Sequence, residues 1–423
     1  MKDFVRFDMA KAPRKCSKVL QPIIYAGSLP ALFKHRTKIT KTGMEGVKPP
    51  YILLGNHNAF FDMNVSAIAT FPHFANYIVA IDGYIGREWL LRAIGCICKR
   101  KFTDDILVVR HIRTMLEKGQ IIGLYPEARY SLCGTTAVLP ESLGKLCKMM
   151  KVPVVTLMTK GHHVTHPFWN TRHDRGARPT EAEMKLLFSA EDLQVLSVDE
   201  INDRIVEAFQ YDDFRWQKEN RIRVSCEDRA EGLEKVLYQC PHCCTEFRMQ
   251  AAGHVLKCSS CGKSWEMTEY GELKAAGGET EFSHIPDWYE WERENVRKEV
   301  EAGTYSSGIL EVEVESLPNA KKFIKLGKGT MVHDMNGFRV EVTDEDGDVH
   351  IMEKSVPSMY SCHIEYQYLF KHGDCVDLNT LEDTWYTYPQ GRDFAITKMA
   401  LATEELYYDY RRKIGKPCRK GLA

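Results

Sequence analysis

Long apolar runs are missing from this 423-residue chain. No stretch reaches the ~18–20 consecutive apolar residues that cross a bilayer, so no spanning helix is expected. The N-terminus carries acids at Asp3 and Asp8 and lacks the apolar core of a secretory signal. An excess of one charge is missing too. The 57 basic and 58 acidic side chains leave a net charge of −1, which argues against bulk nucleic-acid binding, though not against a local patch. There is no internal repeat and no long low-complexity segment. Without a secretory signal, the fourteen cysteines read as reduced thiols and metal ligands instead of a disulfide framework. The expected compartment is cytosolic. The length suggests two or three domains with real cores.

The chain does contain an apolar strand, Tyr51 to Leu54, that ends at Gly55-Asn56 and delivers His57. Asp62 follows and can turn back to accept a hydrogen bond from one ring nitrogen. That fixes the tautomer and leaves the other nitrogen basic. On its own the pair has a bland alternative, a loop histidine beside a helix-capping aspartate.

Three further segments follow in order. Gly95-Cys-Ile-Cys-Lys-Arg100 is a short strand running into Lys99, Arg100 and Lys101. Gln120 to Ser131 is a strand ending in Pro126-Glu127, with Arg129 two residues on. Val152-Pro-Val-Val-Thr-Leu157 is a Val-rich strand opened by a proline. The series resembles the four sequence blocks of the glycerolipid acyltransferase superfamily, especially the 1-acylglycerol-3-phosphate acyltransferases, with an Asn-His-x4-Asp block first. The resemblance covers roughly the first half of the chain.

The third block departs from the family pattern. Ala128 stands where Gly is usual, Arg129 comes one place early, and Tyr130 occupies the usual Arg position. In the first block the usual Ser is Ala59. Ala128 suggests a somewhat different turn, because glycine serves where backbone turns tightly or approaches a ligand. The reach of Arg129 to a phosphate is left open.

The resemblance implies direct acyl transfer from a thioester, acyl-CoA or acyl-carrier protein, to a lysophospholipid hydroxyl. The expected acceptor is 1-acyl-sn-glycerol-3-phosphate and the product phosphatidic acid. It makes His57 the general base and Asp62 its orienter. Arg100 and Lys101 supply positive charge for the phosphate, which a guanidinium grips bidentately. Glu127 holds the glycerol or an arginine, or only caps a strand end. No serine or cysteine has a nucleophile's setting, and Cys96 and Cys98 read as core.

Strands are expected at Tyr51–Leu54, Tyr77–Ile81, Ile94–Cys98, Ile121–Tyr125 and Val152–Met158. A helix is expected from Asp104 to Lys118, with Thr103 as N-cap and Ile106, Val109, Ile112 and Leu116 as its buried stripe. Another starts at the capping-box spacing Ser197-x-x-Glu200. Alternating strands and helices indicate an α/β layered domain over residues 1–229.

A second module, 230–276, holds Cys240-Pro-His-Cys243 and, fourteen residues later, Cys258-Ser-Ser-Cys261. Two such knuckles supply four thiolates for a tetrahedral, structural Zn²⁺ site. Cys244 and His254 are alternative ligands, but the symmetric knuckles favour Cys240, Cys243, Cys258 and Cys261. The flanking alternation, Val236–Tyr238, Glu246–Arg248, Val255–Lys257 and Ser264–Glu266, resembles a zinc ribbon.

Residues 277–423 are expected to form a helix over Pro286–Ala302 and then a β-rich (α+β) domain. Its strands are read at Leu310–Val314, Phe338–Val342 and Val349–Met352 around an Asp346-Gly347 hairpin, then near Ile364–Phe370 and Trp385–Tyr388. A helix from Phe394 to Arg411 closes it. This loosely resembles a pleckstrin-homology-like lipid-binding barrel; the bland alternative is an accessory domain without a ligand.

The segment Lys15–Lys34 is apolar with basic ends and is interrupted by Pro22 and Pro30. It reads either as an interfacial segment or as a helix packed on the domain. A cytoplasmic enzyme, peripheral on the inner face of the membrane, is therefore expected, and nucleic acid is not an expected partner. The competing class is a catalytically weak lipid- or nucleic-acid-binding adaptor that uses the zinc ribbon and β domain.

Overall fold

The computed structural model describes residues 5–170, 175–370, 372–416 and 421–422; the N-terminal Asp3 lies outside them. The first part forms, in chain order, α1 (Leu20–Lys34), β1 (Lys38–Thr42), β2 (Tyr51–Gly55), α2 (Asp62–Thr70), β3 (Ala75–Ala80), α3 (Glu88–Ala93), β4 (Ile97–Lys99), α4 (Ile106–Glu117) and β5 (Ile121–Leu124). Then come α5 (Ser142–Met150), β6 (Val154–Lys160), α6 (His162–Thr165), β7 (Glu181–Phe188), α7 (Asp192–Val195), α8 (Val198–Ala208) and α9 (Asp213–Glu219).

The apolar runs sit in the middle of a seven-stranded sheet, ordered β1-β7-β6-β2-β5-β3-β4. All five residues of β2 are buried, as a central parallel strand requires. β2 runs parallel to β5 and β6, and β3 parallel to β4 and β5. The carboxyl ends of these five strands therefore open on one edge of the sheet, where open α/β folds place their sites. β7 pairs antiparallel to β6 and parallel to β1. Neither β1 nor β7 was expected from the sequence.

The N-cap of α4 is Asp105 instead of Thr103. Its carboxylate accepts from Leu107 N at 2.8 Å and Val108 N at 3.4 Å, so the helix starts at Ile106. The buried stripe turns accordingly to Val108, Ile112, Met115 and Leu116, and Ile106 is left 71% exposed. The capping box of α8 forms: Glu200 N donates to Ser197 Oγ (3.2 Å), and Ser197 N donates to Glu200 Oε2 (2.7 Å).

The second sheet is a small antiparallel one: β8 (Met249–Ala252), β9 (Val255–Cys258), β10 (Ser264–Met267) and β11 (Leu273–Ala275), in the order β11-β10-β9-β8. The expected strands at Val236–Tyr238 and Glu246–Arg248 do not form; these residues shape the first cysteine knuckle. α10 (Ile285–Glu301) follows. Its Trp288 indole donates to Gln239 O at 2.9 Å and meets Trp265 edge-on at 5.0 Å, fastening the helix to the small sheet.

The third sheet comprises β12 (Leu310–Ser316), β13 (Ile324–Asp334), β14 (Gly337–Thr343), β15 (Val349–Ser355), β16 (His363–Glu365), β17 (Cys375–Asn379) and β18 (Thr384–Pro389); α11 (Ile396–Lys413) follows. The strands are antiparallel in the order β15-β14-β13-β12-β18-β17-β16. The first strand, β12, pairs with the last, β18, and β15 and β16 are the two edges of this meander. α11 packs on α10. One continuous core joins Phe102, Leu132 and Trp169 of the first part to Trp265, Trp288, Tyr305, Val340 and Met399.

Candidate active site

Gly55 and Asn56 end β2, and the Asn56 amide clamps this end to β6. Its Nδ2 donates to Thr159 O (2.9 Å), and its Oδ1 accepts from Thr159 N (2.8 Å). His57 comes next, with its backbone N–H donated to Glu127 Oε2 at 2.8 Å. Its Nδ1 lies 3.0 Å from Asp62 Oδ2. The same oxygen accepts from Asn58 N (2.7 Å) and Ala59 N (3.0 Å), so the loop wraps the carboxylate. Burial pushes the Asp62 carboxyl up, but His162 and then His57 outweigh it and hold it below the usual carboxylate range. An ionised Asp62 makes His57 Nδ1 the donor and leaves Nε2 as the basic nitrogen. The His57 side chain is 20% exposed, whereas Asp62 is buried.

The His57 ring lies between two tyrosines. Tyr125 stacks on it at 4.3 Å, and Tyr130 leans on it at 4.3 Å and 40°. Tyr130, at the family's usual Arg position, thus contacts the ring of the candidate base. Glu127 sits beneath. It also accepts from Ala137 N (2.8 Å) and Tyr211 Oη (3.3 Å), and burial pushes its carboxyl up to about 7 against these donors. It thus holds the backbone N–H groups of His57 and Ala137. Ala128 adopts φ +55°, the left-handed conformation that glycine accepts without cost. Cys96 and Cys98 are buried, and burial pushes the Cys96 thiol up to about 12, as fits core residues.

The basic residues expected to grip a phosphate have other partners. Arg100 is 2% exposed. Its Nη1 donates to Leu317 O (3.0 Å) and Thr384 Oγ1 (2.6 Å), and its Nη2 to Pro318 O (3.2 Å) and Glu382 O (3.0 Å). Arg129 pairs with Glu404 of α11 at 2.7 Å, and Glu404 is held in turn by Arg293 at 2.7 Å and Ser361 at 2.8 Å. Both guanidinium groups therefore tie the first part of the chain to its C-terminal part. Lys101 lies between Asp82 (3.5 Å) and Asp377 (3.4 Å), with His363 Nε2 at 3.0 Å. It is partly exposed among carboxylates. Burial pulls its ammonium down, and Asp377, Asp82 and Glu365 more than offset that.

The site also includes His162, which sequence reasoning missed. Its Nδ1 bonds Asp62 Oδ1. The available signal was Gly161-His162-His163 at the end of the Val-rich strand, together with the Asn56 clamp that brings that end to Asp62.

The four cysteine sulfurs of Cys240, Cys243, Cys258 and Cys261 lie within 4.8 Å of one another. The Cys240–Cys261 and Cys243–Cys258 sulfurs are each 3.8 Å apart. Tetrahedral bonds of ~2.3 Å to Zn²⁺ put sulfurs roughly 3.8 Å apart, so the set fits that ion. The two knuckles share one backbone pattern. Cys240 N donates to Thr245 O and Cys258 N to Lys263 O; Cys244 N donates to Cys240 O and Gly262 N to Cys258 O. Cys244 thus stands where Gly262 does, both at positive φ, which takes it out of the ligand set. His254 faces Glu227 at 3.5 Å.

With this geometry in place, residues 38–160 match the family model described as Acyltransferase. This segment of the chain is thus an acyltransferase domain by its family match. A solved structure to which the chain is similar is that of the 1-acyl-sn-glycerophosphate (LPA) acyltransferase PlsC from Thermotoga maritima. Identity is 15% and the TM-score 0.34, over 45% of this chain and 79% of that one. No curated protein matches.

Proposed function

We propose that the protein moves a fatty acyl group from a thioester, acyl-CoA or acyl-carrier protein, to a lysophospholipid hydroxyl, with His57 as general base. The observation that carries this reading is the pair His57 Nδ1–Asp62 Oδ2 at 3.0 Å, set at the carboxyl edge of the sheet with the ring partly exposed. Nε2 takes the hydroxyl proton as the oxygen attacks the thioester carbonyl. The tetrahedral intermediate then expels the thiolate, which recovers that proton from His57. No acyl-enzyme is needed. A base so placed supplies ~10²–10⁴-fold.

The acceptor suggested by resemblance is 1-acyl-sn-glycerol-3-phosphate, giving phosphatidic acid. In this conformation its phosphate finds no donor on Arg100 or Arg129, and Lys101 is the remaining cation of the four expected acceptor contacts. That commitment of the arginines favours a second reading, a catalytically weak lipid- or nucleic-acid-binding adaptor. Acyl transfer from both donors to a panel of lysophospholipids separates the two. Turnover supports the enzyme and ranks acceptors. A folded, zinc-loaded, vesicle-supplemented protein that turns over none of them supports the adaptor.

We also propose that the four cysteines hold a structural Zn²⁺; with four thiolates the ion has no open position. Membrane contact is peripheral in this reading. None of the helices of the described residues is long and apolar enough to cross a membrane. Val19, Ile23 and Phe33 on and before α1, with Phe60, Phe71 and Trp89, expose large apolar side chains. Phe60 lies three residues from His57 and is 73% exposed, while Lys15, Lys18, Lys34 and Arg36 are exposed at the ends of α1. Apolar anchors flanked by cations suit an anionic lipid surface.

A further inference from the structure

A buried carboxylate needs donors at both oxygens. Oδ2 of Asp62 has three: His57 Nδ1, Asn58 N and Ala59 N. Oδ1 has His162 Nδ1. His162 is fully buried, and its Nε2 has no partner among the described residues. These surroundings fix the protons on the ring. Nδ1 carries the hydrogen and donates it, while Nε2 stays bare, because a second N–H would be buried without an acceptor.

The position is built from several sides. The Asn56 clamp on Thr159 sets the end of β6 beside the His57 loop. Gly161 then turns at φ +82°, where a Cβ would stand 2.5 Å from the Trp216 ring, so glycine is required. Asp213 holds the turn by accepting from Gly161 N (3.0 Å) and His163 N (2.8 Å). The Phe61 ring lies 3.9 Å from that of His162. Asp62 and the residue before it therefore both contact this histidine.

We propose that His162 is a positioning residue for acyl transfer: it fixes Oδ1 of Asp62 so that Oδ2 stays on His57 Nδ1. The proposal rests on the reading of His57 as the base. Without His162 the Oδ1 atom is buried with no donor. The carboxylate then rotates or takes a proton, and either change removes the acceptor that holds the His57 ring.

The test compares acyl-transfer kinetics of the full-length wild type with His57→Ala, His162→Leu, His162→Asn and the double variant His57→Ala/His162→Leu. Asparagine places an N–H near the lost Nδ1; leucine does not. His162→Leu should lower kcat by roughly 10²-fold, as a misplaced catalytic group does, with KM unchanged. His162→Asn should recover most of the rate. The double variant should be no slower than His57→Ala alone. Equal losses in Leu and Asn, or additive losses in the double variant, overturn the proposal. If His162→Leu fails to fold, His162→Gln replaces it; glutamine puts its N–H near Nε2 and should not restore the rate. If His57→Ala is as fast as wild type, the base reading falls and the proposal with it. If His57→Ala is slow while His162→Leu is fast, only the role of His162 falls.

Discussion

Two groups of polar residues leave the same sheet edge and meet different ends. His57, Asp62 and Glu127 keep their bonds within residues 57–211, and the His57 ring retains a path to solvent. Arg100 and Arg129, from the neighbouring blocks, are buried against partners 217 to 284 positions away in the chain. Position in a sequence block fixes where a side chain leaves the backbone. The C-terminal sheet and α11 decide what it meets. The His57–Asp62 pair is local in the chain, whereas the two guanidinium groups are part of the joint with the C-terminal part.

The largest expected effect tests how tightly that joint is built. Chelating the proposed Zn²⁺, or Cys258→Ser, should remove one equivalent of metal and unfold the small sheet, since such a site contributes its binding energy to folding. Because the core is continuous, the thermal transition of the whole chain should fall with it. A metal-free protein with an unchanged transition would separate the modules. Next, Arg129→Met leaves Glu404 buried without one of its cations and should cost about 3–5 kcal/mol of stability, read by denaturant unfolding. A variant of unchanged stability but raised KM for a phosphate-bearing acceptor would return Arg129 to the site.

Glu127→Gln sharpens the contrast from the other side. The Glu127 carboxyl is pushed up from 4.5 to about 7. It therefore favours the fold below about pH 4.5 and loses that contribution as pH rises through about 7, roughly 3 kcal/mol in all. Glutamine should flatten this part of the stability–pH curve, and an unaltered curve would place the titration elsewhere. The smallest effect is at Ala128, where relief of the positive φ by Ala128→Gly should stabilise by about 1 kcal/mol, measurable as a small rise in Tm.

Much of this was legible in the sequence because it is local. Periodicity gave the strands β2, β5 and β6, Ser197 and Glu200 gave a helix start, and the spacing of two knuckles gave a thiolate cluster. What was not legible depends on distant chain. β1 is an exposed edge strand of mostly polar residues with no apolar pattern to show it. β13 contains Gly327 and Gly329 and was not expected as a strand. In the sheet Gly329 is needed because a Cβ there would stand 1.9 Å from Glu341 O. Tyr130 looked like a lost arginine until its ring was found against His57. His162 lies 100 positions from Asp62 and meets it only through the ends of two strands.

The central claim is that His57 is the base for acyl transfer. Turnover of a lysophospholipid and an acyl thioester by His57→Ala, beside the wild type and with thermal unfolding as the check on folding, tests it most directly. The account predicts a rate lower by ~10²–10⁴-fold at an unchanged Tm; equal turnover by a folded His57→Ala protein would contradict it.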